Sequence, residues 1–245
     1  MKILLIIPSY NEENNILKVY NQIKEYNDDI KNELKIDYIV INDCSNDNTL
    51  KVLQDNNMNY IDLVSNLGIG GAVQTGYKYA FINGYDIAIQ FDGDGQHDIN
   101  FIKDIYTPII EAKTDICVGS RYLNKESSKF RSTFMRRVGK NIISFFIKIF
   151  TGKSVTDPTS GFRAVNKNII KLFAEDYPID YPEPESIVNI IKEGYEIKEV
   201  PVSMNERIGG KSSIDIFKSI HYMVKVNISI IIDGMRFRKK REKVK

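Results

Sequence analysis

The chain has little of what several classes of protein require. Its 245 residues include two cysteines, Cys44 and Cys117, two histidines and no tryptophan. Two cysteines exclude a disulfide scaffold, so reduced thiols in a cytosolic setting are the simplest expectation. Two histidines and two cysteines also leave too few soft ligands for a zinc site. A net charge of +2 is too small to indicate nucleic acid as a partner.

The N-terminus carries only a short apolar run, Ile3–Ile7, which ends in the polar segment Pro8–Glu13. A secretory signal peptide needs a longer apolar region and a cleavage site with small residues, and neither is present. The run is therefore predicted to be a buried first strand.

Short apolar runs alternate with longer amphipathic stretches, a pattern typical of an α/β fold whose mostly parallel sheet is covered on both faces. The predicted strands are Ile3–Ile7, Tyr38–Ile41, Tyr60–Val64, Ile87–Phe91, Ile116–Val118, Gly161–Val165 and Ile197–Val202. The predicted helices are Glu13–Tyr26, Asn48–Gln54, Gly71–Phe81, Ile99–Ala112, Lys167–Ala174 and Pro184–Lys192. The polar, basic segment Ser120–Arg137 is predicted to be a mobile loop.

Polar clusters follow four of the predicted strands at the point where each strand ends. They are Ser9–Glu13, Asn42–Asn48, Asn66–Gly71 and Asp92–Asp98. Ligands of parallel α/β sheets collect beyond the carboxyl ends of the strands. The four clusters therefore predict one binding site at one edge of the sheet.

Asp92-Gly93-Asp94 places two carboxylates two residues apart, directly after a buried strand. In extended backbone both project to one side and can share a hard cation, for which oxygen ligands favour Mg²⁺ or Mn²⁺. Such an ion neutralises the charge that develops on a diphosphate leaving group. Gly93 and Gly95 let a phosphate approach the backbone closely. The alternative is an ordinary polar turn, since Asp and Gly are common turn residues.

Several motifs in fixed order resemble those of family 2 glycosyltransferases with the GT-A fold. They are Pro8–Glu13, Asn42–Thr49, Asn66–Ala72, Asp92–His97 and Gly119–Tyr122. Asp157–Ala164, Glu199–Val202, Arg207 and Gly210–Ser212 resemble the polyprenol-phosphate (dolichol-phosphate) sugar transferase branch. The resemblance implies a GT-A-type sheet and a nucleotide-diphosphate sugar as donor.

The resemblance also implies roles for individual donor-site residues. The metal ligands would be Asp92, Asp94 and Gln96. The nucleotide would be bound by Pro8, Tyr10, Glu12, Asp43 and Gly68, and its phosphates by Arg121, Arg207 and Lys211. Ser9 or Asn11 is expected to cap the following helix as well.

The acceptor side is predicted with more than one possibility. Inverting transfer to a hydroxyl needs a general base, for which Glu185 is the first candidate and Glu183 the second. Their alternative role is the acidic first turn of a helix, which the helix dipole favours. An acceptor phosphate is already ionised and needs little help from a general base. Arg131, Arg136 and Arg137 could then bind the anion, although Gly139 stands where the family has a serine.

The C-terminal segment is predicted to be an amphipathic helix that lies on a membrane surface. Its polar stripe comprises Asp215, Lys218, Tyr222, Lys225, Ser229 and Asp233, and the apolar residues opposite are Phe217, Ile220, Val224, Ile228 and Ile231. Charges interrupt it too often for a membrane-spanning helix. From Arg236 to Lys245 there are seven basic residues and one acid, which favours an anionic surface. The alternative is a helix packed on the domain with a solvated tail.

These observations predict a catalytic domain over residues 1–213 and an amphipathic, basic extension over 214–245. The predicted function is an inverting, metal-dependent glycosyltransferase that acts on a lipid-linked acceptor at the cytoplasmic face of the membrane. One alternative is a sugar nucleotidylyltransferase, but such enzymes need a Gly-rich basic loop where Pro8–Glu13 stands. The other is a non-catalytic binding module, against which the intact Asp92 and Asp94 pair argues.

Overall fold

The computed structural model describes residues 1–29, 34–123, 134–205 and 216–235, and in these ranges seven strands form one sheet. The strands are β1 (Ile3–Ser9), β2 (Ile36–Asn42), β3 (Tyr60–Asp62), β4 (Ile87–Gln90), β5 (Ile116–Ser120), β6 (Arg163–Asn166) and β7 (Ile197–Pro201). The helices are α1 (Ile16–Asp29), α2 (Thr49–Asp55), α3 (Gly68–Ile82), α4 (Ile102–Ile110), α5 (Phe134–Thr151), α6 (Lys167–Glu175), α7 (Pro182–Lys192) and α8 (Ile216–Met235).

The strand order is β3-β2-β1-β4-β6-β5-β7, and all neighbouring pairs are parallel except those that involve β6. The predicted mostly parallel sheet is confirmed, whereas the reversed direction of β6 was not predicted. Because β6 runs antiparallel to β4 and β5, its beginning lies at the same edge as their carboxyl ends. The segment that leads into β6 therefore reaches the predicted site.

Both faces of the sheet are covered, as the near-continuous apolar strands require. Along β1, Ile3, Leu5 and Ile7 pack with α1 and α4, while Leu4 and Ile6 pack with α3 and α6. Each fully buried aliphatic side chain of this kind contributes about 1.5–3 kcal/mol. The core therefore fixes β1 and β4, whose ends carry the site loops.

Two predicted local features differ from the structure. The predicted helix Ile99–Ala112 is a 3₁₀ turn, Ile99–Phe101, followed by α4. Part of the predicted loop Ser120–Arg137 is helical, since α5 begins at Phe134; residues 124–133 lie outside the described ranges.

The predicted cap of α1 by Ser9 or Asn11 is wrong. The helix begins at Ile16, and the preceding N–H groups of Glu12 and Glu13 donate to Thr49 Oγ1 and Asp47 Oδ2 of the second loop. Asn11 instead accepts from the N–H of Asn46 through its Oδ1. The N–H of Ile16, the first residue of the helix, donates to the backbone carbonyl of Glu12 at 3.0 Å.

The predicted C-terminal helix is present as α8, and it packs on the domain. Val226 and Ile230 join a core with α5 and α7, and a Cβ at Gly234 would lie 2.4 Å from the ring of Phe150. Asp233, a member of the predicted polar stripe, is only 7% exposed. The apolar residues Val224, Ile228 and Ile232 are instead 53%, 51% and 51% exposed. Among the described helices, none is long and apolar enough to cross a membrane.

Gly76 tests how closely α3 packs on the sheet. A Cβ at this position would lie 2.1 Å from Cγ2 of the buried Ile6, whose branched side chain has little freedom to move. We expect Gly76→Ala to lower the free energy of unfolding by about 1–3 kcal/mol, because overpacking outweighs the gain in helix propensity. Urea denaturation measures the change. Lys78→Ala, an exposed change on the same helix, should stay within about 0.5 kcal/mol; equal stability of Gly76→Ala and wild type would contradict the packing argument.

Candidate active site

Hydrogen bonds between the loops after β1 and β2 build the first wall of the site. The N–H of Asn11 donates to Ser45 Oγ at 3.0 Å, and Asn46 Nδ2 donates to the hydroxyl of Tyr10 at 3.2 Å. Asn11 adopts a positive φ of 57°, a conformation that asparagine tolerates better than most residues. The two loops therefore form one unit, and Tyr10 is held at its rim.

Asp43 connects this unit to the loop after β3. Its side chain is 3% exposed, and its Oδ1 accepts from the N–H of Leu67 at 2.7 Å. Its backbone carbonyl accepts from Asn66 Nδ2 at 3.0 Å. Oδ2 has no hydrogen-bond partner within the described part of the chain and can accept from the edge of a nucleobase.

A cavity of about 370 Å³ lies where these loops meet the end of β4. This volume is within the usual range for small-ligand sites. Its lining comprises Pro8, Ser9, Tyr10, Glu12, Asp43, Asn66, Gly68, Ile69, Ala72, Asp92, Gly93 and Asp94. The structure thus brings together every predicted donor-site residue from the first three loops with both carboxylates. Arg207 and Lys211 lie outside the described residues.

The start of α3 closes one side of the cavity. Gly68 begins the helix with a positive φ of 73°, and the first N–H groups of a helix favour a phosphate group. A Cβ at Gly70 would lie 2.3 Å from the carbonyl oxygen of Ile179. The chain between α6 and α7 therefore passes directly against the start of α3, which requires glycine at position 70.

The loop Asp92–His97 is folded around its own hydrogen bonds. Asp94 Oδ1 accepts from the N–H of Gln96 at 3.0 Å, and the N–H of Asp92 donates to His97 Nδ1 at 2.9 Å. The imidazole of His97 stacks on Phe162 at 4.6 Å between ring centroids. Burial lowers the pKa of His97 to about 3, because a buried imidazolium would lose its hydration. His97 is therefore a neutral acceptor that holds the backbone of Asp92 in place.

The oxygen donors at this edge fit a divalent cation that shares a nucleotide. Within the described residues, no group of three or more His, Cys, Asp or Glu side chains could hold a metal ion by itself. Mg²⁺ usually binds one or two carboxylates and completes its shell with phosphate oxygens and water. Asp92, whose side chain is 34% exposed, and Asp94 both line the cavity and provide such a pair.

The structure separates the two candidate bases, which stand on the same turn of α7. Glu185 Oε1 accepts from Ser229 Oγ of α8 at 2.5 Å. Glu183 lies on the inner side, where its carboxyl group contacts the side chain of Gln90 and is close enough to Asp92 for that charge to raise its pKa. Burial is the larger cause of the raised pKa of Glu183. The role of either residue as a base stays a prediction.

Arg121 is engaged by a carboxylate of the protein itself. Its Nε donates to Asp157 Oδ2 at 2.6 Å and its Nη2 to Oδ1 at 2.7 Å, a bidentate pair in which Asp157 is fully buried. Nη2 also donates to Thr159 Oγ1 at 3.0 Å. Arg121 therefore fixes the segment before β6 at the site, and its predicted contact with a phosphate stays a prediction.

The basic residues predicted for the acceptor lie at the start of α5 or before it. Arg137 is exposed on the helix, Arg136 is on the same helix with its side chain outside the described set, and Arg131 lies outside the described residues. Sequence reasoning missed Lys140, whose Nζ lies 4.5 Å from the ring centroid of Tyr122. Burial lowers the pKa of Lys140, against the effect of the nearby Asp157 and Glu199 carboxylates. Its position four residues after Arg136, on one helical face, was the available signal.

The fold and the cavity define an α/β protein of the GT-A type. The sequence model of glycosyl transferase family 2 matches residues 4–173, and the chain belongs to this family. It is an enzyme family of glycosyltransferases, so the alternatives of a nucleotidylyltransferase and a non-catalytic module gain no support.

Two relatives illustrate the likeness in sequence. The chain is 34% identical over 219 residues to the UDP-N-acetylglucosamine–dolichyl-phosphate N-acetylglucosaminyltransferase of Methanococcus voltae, covering 82% of this chain and 84% of that protein. It is 28% identical over 220 residues to the dolichol-phosphate mannosyltransferase of Pyrococcus furiosus, covering 87% of this chain and 59% of that protein. The likeness places this chain beside dolichyl-phosphate sugar transferases within the family.

Two solved structures share the fold. Mannosyl-3-phosphoglycerate synthase from Rubrobacter xylanophilus superposes with a TM-score of 0.73 at 13% identity, covering 99% of this chain and 77% of that chain. Glucosyl-3-phosphoglycerate synthase from Mycobacterium tuberculosis, in complex with Mn²⁺ and UDP-glucose, gives a TM-score of 0.67 at 14% identity, with coverage of 95% and 79%. At such identities the likeness establishes the fold alone.

His97 gives a testable pH dependence of stability. Its pKa is about 3 when folded against an ordinary value of 6.5, so below pH 6.5 the unfolded chain binds more protons than the folded one. The free energy of unfolding therefore falls as pH is lowered through this window, by up to about 2 kcal/mol between pH 7 and pH 5. We expect His97→Gln to remove this part of the decrease in urea denaturation of the metal-free protein. Parallel pH dependences of the variant and wild type would show that His97 is not the buried neutral group.

Proposed function

We propose that this glycosyltransferase moves a sugar from a nucleotide-diphosphate sugar to a polyprenyl phosphate, with inversion at the anomeric carbon. The observation that carries the proposal is the single cavity in which the nucleotide loops, the start of α3 and the Asp92–Asp94 pair meet. Two relatives are named for transfer to dolichyl or dolichol phosphate, and this supports the acceptor class.

On the donor side, Tyr10 and Asp43 bind the nucleoside and the start of α3 receives the diphosphate. Asp92 and Asp94, with Gln96, hold Mg²⁺ or Mn²⁺ at the diphosphate; Mn²⁺ is the ion named with one structural neighbour. When bound, the ion would neutralise the charge that develops on the leaving diphosphate. His97 holds the backbone of Asp92 in place by accepting its N–H.

On the acceptor side, an ionised phosphate oxygen forms a bond to the anomeric carbon as the bond from that carbon to the donor diphosphate breaks. The nucleophile is already deprotonated near neutral pH, so this step needs no general base. Glu185 or Glu183 would serve as base only for a hydroxyl acceptor. Arg131, Arg136, Arg137 and Lys140 form the cationic set that attracts the acceptor phosphate.

We also propose that the protein binds the cytoplasmic face of a membrane peripherally, through α5 and the extension 214–245. Both helices leave a row of apolar side chains in solvent: Val138, Ile142, Phe145 and Ile149 on α5, and Val224, Ile228 and Ile232 on α8. Rows of this kind at helical spacing are typical of helices that lie in a membrane interface. The basic residues after position 235 in the sequence add attraction to anionic lipids.

Asp94→Asn tests the metal-dependent donor site. We expect the variant to lose nearly all sugar transfer to polyprenyl phosphate, because one of two charged ligands becomes neutral, while nucleotide binding survives in weakened form. A thermal-shift panel of UDP-, GDP- and dTDP-sugars with Mn²⁺ first selects the donor, since a ligand at about 100 times its Kd stabilises by about 2.7 kcal/mol. Asp86→Asn, at the opposite end of β4, is the matched control and should retain transfer. Normal turnover by Asp94→Asn would refute the metal role.

The double variant Phe145→Glu/Ile228→Glu tests the membrane surface. We expect it to abolish most co-flotation with anionic liposomes, because two exposed apolar side chains, 60% and 51% exposed, become charged. Ile82→Glu changes a 79% exposed isoleucine at the end of α3 and should float like wild type. Point variants are preferable to truncation, because α8 contributes Val226 and Ile230 to a core. Undiminished flotation of the double variant would refute this surface.

A further inference from the structure

A layer of buried polar side chains lies beneath the carboxylate of Asp92. Gln90 is 1% exposed, Arg163 is fully buried, and Glu183 contacts Gln90 from the first turn of α7. Burying such groups is costly unless they are paired. None of the three touches the cavity directly, so the layer acts through the residues above it.

Gln90 forms the bridge between this layer and the site. Its Nε2 lies 3.3 Å from Asp92 Oδ1, and the same side chain contacts the carboxyl group of Glu183. Gly161 packs against the bridge: a Cβ there would lie 2.7 Å from Gln90 Nε2 and 3.3 Å from Asp92 Oδ2. The amide of Gln90 is thus confined between two carboxyl groups and the backbone of the segment before β6.

Arg163 holds the other side of Glu183. Its guanidinium donates to the carbonyl oxygen of Ser160, to the carbonyl oxygen of Glu183 at 3.3 Å and to Ser186 Oγ at 2.9 Å. Burial raises the pKa of the Glu183 carboxyl group, and the positive charge of Arg163 lowers it. The backbone of Glu183 is therefore held from β6.

We propose that Glu183 is a positioning residue that orients the carboxylate of Asp92 through the side-chain amide of Gln90. This role rests on the proposed donor site, in which Asp92 binds a divalent cation at the diphosphate. Partners that hydrogen-bond to a metal ligand orient it and commonly change metal affinity 10–100-fold when they are removed. Glu183 acts here on the donor side, with Gln90 and Asp92 standing between it and the ion.

Glu185 provides the contrast within the same helical turn. Its carboxylate bonds to Ser229 of α8 instead of Gln90. Both glutamates stand in the first turn of α7 and experience the same helix dipole. A difference between their variants therefore reports the contact with Gln90 and not the loss of an acidic residue.

The experiment is calorimetric titration of Mn²⁺ into the full chain saturated with UDP, or with GDP if UDP does not bind. We expect Glu183→Gln to weaken Mn²⁺ at least 10-fold, and Glu185→Gln to change it less than about 2-fold. Gln90→Met should reproduce the loss, and the double variant Glu183→Gln/Gln90→Met should lose no more than either single variant. Melting temperatures of the metal-free proteins identify any variant that fails to fold, in which case Gln90→Met carries the test.

The outcomes separate this role from the proposed function. Unchanged Mn²⁺ affinity in Glu183→Gln, with or without loss of transfer, overturns the positioning role; loss of transfer alone would indicate a base. Equal loss in both glutamate variants also overturns it. If wild type binds the nucleotide equally with and without Mn²⁺, the metal-dependent donor site itself fails, and the role of Glu183 fails with it.

Discussion

The close approach of Gly161 to Gln90 and Asp92 is the contact on which the rest of the site depends. Strand β6 joins β4 to β5, and the segment that leads into it passes where a side chain would collide with the Gln90 amide. The absence of a side chain at Gly161 therefore lets this segment pass between β4 and β5 and lets Gln90 support the carboxylate of Asp92. His97 adds a second constraint, since it holds the backbone of the same aspartate.

Helix α7 links two surfaces that would otherwise be independent. Its first turn carries Glu183, beneath the donor cavity, and Glu185, which bonds to Ser229 of α8. Lys192, at its other end, donates to the carbonyl oxygen of Asp233. Helix α8 therefore contacts the domain through Ser229 and the Asp233 carbonyl as well as through Val226 and Ile230, while Val224, Ile228 and Ile232 stay exposed.

Much of the fold was predictable, because the apolar runs of β1 and β4 and the polar clusters after them obey local rules. The site was predictable to the same extent, since the Asp92–Asp94 pair follows a buried strand. The features that were not predicted depend on residues distant in the sequence. The hydrogen bonds of Glu12 and Glu13 to Thr49 and Asp47, the direction of β6 and the contact of Ser229 with Glu185 follow from tertiary contacts that no local pattern contains.

The position of β5 in the sheet has a consequence for how the protein assembles. Strands β1 to β4 pair with one another within the first 90 residues, whereas β5 pairs only with β6 and β7, which both follow it in the chain. During synthesis the half that contains β1 to β4 can form its sheet while β5 still lacks a neighbour. Contacts between distant residues form more slowly than local ones. The half that carries Arg121 and α5 is therefore the later one to fold. The donor side of the cavity forms first.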